Sequence, residues 1–234
     1  MPIRKASFIQ LHGVAAGQVQ NLATRLPKVV FGFDCELQVL GVDRERDRLT
    51  TEVVVRRERE ALAFDPAANA FSSEKRYEYR RQFFTLDAAT GIAETPGGKR
   101  DFNFFSDVLK RAGITNVELG PLVTDVAAWA REMAKLYDTA QLAQLVLDMY
   151  YAEPKLIGRY SAKTVDNRLD PNLLKEPGGA IRSLRLGFFY EGVRRTVELR
   201  ADAVLVCSSG DEDDLPIFFG EQRALALKYS TVSE

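Results

Sequence analysis

The sequence predicts an α+β protein built mainly on antiparallel sheet, and three observations carry that expectation. Stretches with a two-residue apolar period dominate, as at Phe31–Val42 and Glu74–Leu86, and such alternation marks strands with one covered face. These strands follow one another across short turns, which favours antiparallel pairing. Helical periodicity returns at intervals, at Val14–Leu26, Asp101–Ala112, Val126–Tyr137 and Ile217–Tyr229. The order strand, helix, strands, helix reads twice, with a seam at Gly113. The expectation is two pseudo-repeated α+β halves, 1–113 and 114–234, packed as a single unit. They would form one extended, curved sheet with helices on one face. The repeat is one of pattern and not of residues.

In chain order, Ala6–His12 reads as a short strand. Val14, Val19, Leu22, Ala23 and Leu26 fall at helical spacing until Pro27 removes the next backbone donor. Phe31–Val42 alternates through Phe31, Phe33, Cys35, Leu37 and Val39, and it pairs across the charged turn Asp43–Arg48 with Leu49–Arg59. Ala61–Ser73, with Asp65-Pro66 and Asn69, reads as a loop. Glu74–Leu86 returns to strand, with Tyr77, Tyr79, Arg81 and Phe83 on one face and Glu74, Arg76, Glu78, Arg80 and Gln82 on the other. Asp87–Gly91 turns into a short strand, Ile92–Thr95, and Pro96-Gly97-Gly98 punctuates. Asp101 fits an N-cap for a helix striped by Phe102, Phe105, Val108, Leu109 and Ala112 and ended by Gly113.

The second half opens on a strand at Ile114–Leu119, then a helix capped by Thr124. Gln141–Tyr151 fits both periods and is taken as strand by analogy with the first half. Lys155–Thr164 reads as strand and Leu169–Glu176 as a short helix or turn, before the breaker Glu176-Pro177-Gly178-Gly179. Ile181–Tyr190 and Arg194–Cys207 form a hairpin through Glu191-Gly192. A helix over Ile217–Tyr229 leaves a loose C-terminus.

Bulk properties narrow the function classes. At 234 residues the chain can bury a core without staples. Lys+Arg 32 against Asp+Glu 33 gives a net charge of −1, which disfavours a dedicated duplex-DNA binder while leaving room for a local basic face. Cys35 and Cys207 read as small buried hydrophobes, and a disulfide between them is disfavoured. No signal peptide or membrane span stands out, so a cytoplasmic location is expected.

Catalytic chemistry has little raw material. His12 is the single histidine, which leaves serine, cysteine and histidine-metal sites without a base or ligand set. The acidic run Asp211–Asp214 reads as a complement to the dipole of the following helix rather than as a metal site. No metal, cofactor or enzymatic activity is expected. The glycines before Lys99 and Arg100 could admit a phosphate at a helix N-terminus, although their spacing matches no nucleotide-binding loop.

The charged strand faces carry the functional expectation. Arg56, Arg57 and Arg59 precede Lys75, Arg76, Arg80 and Arg81 on the neighbouring strand, with Tyr77 and Tyr79 interleaved and Lys99 and Arg100 beyond. Cations for phosphates and aromatic faces for bases are what single-stranded nucleic acid requires. Glu52, Glu58, Glu60, Glu74 and Glu78 share the region, and cross-strand Arg–Glu pairs would give a solvated or partner-facing surface instead. Two readings result. One is a non-catalytic nucleic-acid-binding accessory protein acting on single- or double-stranded partners. The other is a protein–protein assembly or regulatory module, as a homo-oligomer or in a complex. An enzyme acting on a phosphorylated substrate comes third.

Overall fold

The computed structural model describes residues 1–14, 16–32, 35–45, 47–153, 156–162 and 180–233, without the side chains of 16, 149–153, 156–160 and 162. The fold is mixed, with mostly antiparallel sheet and four α-helices among the described residues. The chain divides into two compact units: Leu11–Leu119, and Met1–Gln10 together with Gly120–Glu234. Strand β1 (Ile3–His12) opens the chain, and all but its last two residues count with the second unit.

In the unit Leu11–Leu119, α1 (Val19–Arg25) precedes a sheet ordered β2 (Leu37–Glu45), β3 (Arg48–Asp65), β4 (Ala70–Asp87) and β5 (Ile92–Thr95). Helix α2 (Asp101–Arg111) follows. Its apolar stripe, Phe102, Phe105, Val108 and Leu109, is completely buried. The Phe105 ring stacks on Phe84 of β4 at 4.7 Å and 9°, and Phe102 approaches the same ring at 6.3 Å. Period-two alternation places Leu49, Thr51, Val53 and Val55 of β3 on the same covered face as Gln82, Phe84 and Leu86. Thr51 and Gln82 are polar members of that face. The Thr51 hydroxyl and both amide atoms of Gln82 take no partner among the described residues.

Three expectations change here. The strand read at Phe31–Val42 begins only at Leu37. Before it the backbone folds locally, with the Gly32 N–H on the Cys35 carbonyl and the Val39 N–H on that of Val29; Phe33 lies outside the described residues. Ala61–Ser73 is not a loop: β3 and β4 pair without a register shift from Arg48↔Asp87 to Asp65↔Ala70. The turn chemistry of Asp65-Pro66 and Asn69 governs only residues 66–69, where Asn69 adopts φ 46°. Asp101 is not an N-cap either, because the helix begins on it and Arg100 occupies the cap position.

In the other unit, after β6 (Glu118–Gly120) and β7 (Leu122–Thr124), α3 (Val126–Leu136) starts at Asp125, whose carboxylate accepts the Ala128 N–H at 2.8 Å. The cap is therefore Asp125 and not Thr124, which ends β7. The sheet runs β1, β12 (Val204–Ser209), β11 (Val193–Arg200), β10 (Ala180–Tyr190), β8 (Gln141–Glu153), β9 (Leu156–Ala162). Every one of these pairings is antiparallel. Residues 141–151 are strand, as taken. Leu169–Glu176 and the breaker after it lie outside the described residues. Helix α4 (Leu215–Lys228) packs against β12, and Trp129 and Met133 of α3 join Phe218 of α4 in the core. The C-terminus is held: β13 (Ser230–Val232) pairs with β7, and Ser230 shares a hydrogen bond with Thr124 at 2.7 Å. Cys35 and Cys207 are free and buried, and burial pushes the Cys207 thiol pKa up.

A buried carboxylate held by two partly exposed arginines pins β11 in this sheet. Arg200 donates to the Glu198 carboxylate at 2.8 Å, and Arg185 of β10, directly opposite, donates to its other oxygen. Burial opposes ionisation of Glu198, but the two guanidiniums outweigh it, so the carboxyl titrates below its ordinary 4.5. A depressed carboxyl contributes stability above its unfolded pKa and loses it as pH falls through the folded one. Thermal melts below pH 4.5 should therefore show Glu198→Gln losing less stability on acidification than the unsubstituted protein.

Candidate functional site

The uninterrupted register of β3 and β4 makes a two-stranded arm. β2 accompanies β3 only over residues 48–55, and β5 accompanies β4 only over 85–87. Beyond them, residues 57–65 pair with 70–78 and, among the described residues, with no further strand. At about 3.4 Å per residue the ribbon is about 30 Å long. Residues 70–81 are exposed throughout, and on β3 only Ala61 and Ala63 of 57–65 are partly covered. Among the described residues both faces and both edges are thus open, except at the base, where Arg57 meets α2.

Register sorts the candidate residues onto two faces. One carries Arg57, Arg59, Arg76 and Arg80 with Glu74 and Glu78. The other carries Arg56, Lys75, Tyr77, Tyr79 and Arg81. The split follows from pairing Arg57 with Glu78 and Arg56 with Tyr79. The basic set is therefore not one continuous surface.

Most of these cations have partners. Arg59 pairs with Glu78 at 2.7 Å, Lys75 with Glu58 at 2.6 Å and Arg76 with Glu74 at 3.3 Å, and Arg81 bonds Glu52. The hydrogen bond to Glu58 raises the Lys75 pKa. The Arg56 guanidinium lies between the Phe31 and Tyr77 rings at 4.9 and 5.0 Å and donates to the Gly32 carbonyl; Phe31 meets Tyr79 edge-on. Between residues 57 and 78, four cations face five carboxylates, so the arm has no positive field of its own.

The glycine turn before α2 is closed by the chain itself. The Asp101 carboxylate accepts the Gly98 N–H at 3.0 Å and the Arg80 guanidinium at 3.2 Å, where an external anion would otherwise sit. Gly97 permits this approach, because a Cβ there would lie 1.9 Å from the Asp101 oxygen. Lys99 and Arg100 flank this turn; Arg100 is exposed and Lys99 partly so. Beside it, Arg57 covers the Phe104 ring of α2 at 5.2 Å, and a cleft of about 100 Å³ gathers Arg57, Arg59, Arg80, Glu78 and Phe104. A wider groove of about 710 Å³ continues along Glu36, Asp107, Lys110 and Arg111.

The feature missed in the sequence is the end of the arm. Leu62, Phe64 and Phe71 share one face and are exposed to 77, 51 and 70%, with the two phenyl rings 5.2 Å apart. Asp65 stiffens the turn by accepting the Ala67 and Ala68 N–H groups. The available signal was apolar alternation through Leu62 and Phe64, resuming at Phe71, on either side of a four-residue turn. Among the described residues no cluster of His, Cys, Asp and Glu suited to a metal ion occurs, and no helix is long and apolar enough to cross a membrane. No protein-family model matches the chain, and no curated protein matches it.

Proposed function

We propose that the protein is a non-catalytic assembly subunit whose β3–β4 arm joins it to another subunit, in the first instance a second copy of the same chain. The observation that carries this reading is the arm itself: a ribbon open on both faces and edges, ending in Leu62, Phe64 and Phe71. A two-stranded ribbon is marginally stable alone in water. Open edges and clustered apolar tips are the features that folded chains otherwise suppress unless a partner covers them. The ion pairs along the shaft stiffen it and keep it soluble before docking, although each exposed pair contributes little stability. In sedimentation velocity the full chain should gain mass with concentration, and Phe64→Ser with Phe71→Ser should stay monomeric. A full chain that stays monomeric across the range would refute the reading.

A second reading, nucleic-acid binding, rests on the Arg57–Arg59–Arg80 cleft with Phe104. Two of its three arginines already pair with Glu78 and Asp101, which favours assembly over a phosphate track. The expected result is negligible binding of single- or double-stranded oligonucleotides at low ionic strength, where phosphate contacts are strongest. Binding that weakens steeply with salt and is lost in Arg57→Ala would install this second reading instead.

A further inference from the structure

Building on the assembly reading, we infer that the arm tip of one copy docks in the groove between α3 and α4 of another, a head-to-tail contact. The groove, about 400 Å³, is lined by Leu136, Tyr137, Glu221, Ala224, Leu225 and Lys228 over the buried Gln222. Its walls are mainly aliphatic and aromatic, and the volume suits the side chains of a narrow turn.

Polar groups in the groove also await a partner. Gln222 is 1% exposed, and its amide nitrogen donates to the Tyr137 hydroxyl at 2.9 Å. Its amide oxygen has no hydrogen-bond partner among the described residues. Tyr137 accepts that bond, so its own O–H remains to donate. The floor thus holds one donor and one unmatched acceptor beneath an apolar wall. The acceptor has almost no accessible surface, so a side chain settling into the groove must shift the Gln222 amide to meet it, and an unmatched buried carbonyl oxygen is costly to leave so. The arm presents the matching kind of object: three apolar side chains around a turn carrying the exposed Asn69 carboxamide.

Charge agrees. Residues 61–74 of the arm carry two carboxylates, Asp65 and Glu74, and no cation. Helices α3 and α4 carry four cations, Arg131, Lys135, Arg223 and Lys228, against two carboxylates, Glu132 and Glu221. Glu132 serves both Lys135 and Lys228, each at 3.7 Å, and Glu221 joins Lys228 in the groove lining, so the attraction comes from the net positive charge of the two helices and not from an unpaired cation at the groove. At their fractional exposures, covering two phenylalanines and a leucine removes about 300–400 Å² from the arm side. The contact then lies near the lower end of specific interfaces, so association should be weak and concentration-dependent. Because donor and acceptor surfaces differ, the contact is heterologous and builds rings or filaments rather than closed pairs.

Complementation tests this. Variant one is Phe64→Ser with Phe71→Ser; variant two is Leu225→Glu, with the more exposed Ala224→Glu as a milder companion, all checked for unchanged melting. Each alone should sediment as a monomer, while a one-to-one mixture should form a dimer and stop there, since only one intact tip and one intact groove remain. Raising salt should weaken that dimer. If both groove variants associate like the unsubstituted chain while the tip variant is monomeric, the groove assignment falls and the assembly reading stands. A mixture that stays monomeric also overturns the groove assignment. If the tip variant itself associates normally, the assembly reading falls with it.

Discussion

Replacing residues 58–77 with a two-residue Asn-Gly turn between Arg57 and Glu78 should give a folded protein that no longer associates at any concentration. The excised residues contain no buried side chain, so little core is lost. The Asn-Gly turn matches the right-handed twist of the strands it would connect. Stability should change by no more than about 1 kcal/mol, as for surface changes away from packed features, with the shorter connection offsetting part of any loss. Urea denaturation at low concentration checks the stability, and sedimentation checks the association. A truncated chain that unfolds would mean that the arm belongs to the fold. One that still associates would mean that it is not the joining element.

The second large effect lies at the root of the same hairpin. Phe84→Ala should cost about 3–5 kcal/mol, because it removes a fully buried ring and leaves a cavity under α2. Phe84 is 0% exposed and stacks on Phe105. That cost is a large part of the 5–15 kcal/mol that holds a typical domain folded. Phe83, its neighbour on the opposite face, is 45% exposed, and Phe83→Ala should shift stability by at most about 0.5 kcal/mol. Denaturant midpoints of the two variants, compared at low concentration, read the strand's alternation directly. Equal costs would show that the pleat does not separate a packed face from an open one here.

The same alternation explains what the sequence revealed and what it hid. Residues 74–83 fall on the two faces read from the sequence because a strand's side chains alternate with period two, but at the root the covered face is the one that carries Gln82 with Phe84 and Leu86, while Phe83 stays exposed. The arm's far end did not read as strand, because alanines replace the polar half of the pattern between Ala61 and Ala70, and Asp65-Pro66 signals a turn without showing how short it is. The cations were visible, but their distribution depends on cross-strand register. A one-residue slip would exchange every side chain between faces. Only the pairing of Arg57 with Glu78 settles that Arg57 and Arg59 leave the tyrosine face. Asp101 looked like a cap from its position before an apolar stripe, yet its carboxylate reaches back to Gly98 and across to Arg80, a contact set by packing. Gln82 could not have been placed in the core by its chemistry, and β13 is too short to carry a pattern. The α3–α4 groove joins segments almost a hundred residues apart, and no local signal announces it.

Hydrogen exchange of the arm amides, followed as a function of protein concentration, bears most directly on the claim that the arm is an assembly element. Among the described residues the ribbon of 57–65 and 70–78 has no flanking strand, so its amides should exchange rapidly in dilute protein and slow markedly as copies associate. The sheet root around Val53, Val55 and Phe84 should be protected at every concentration. Arm exchange that does not respond to concentration, in samples whose mass does grow, would contradict the account.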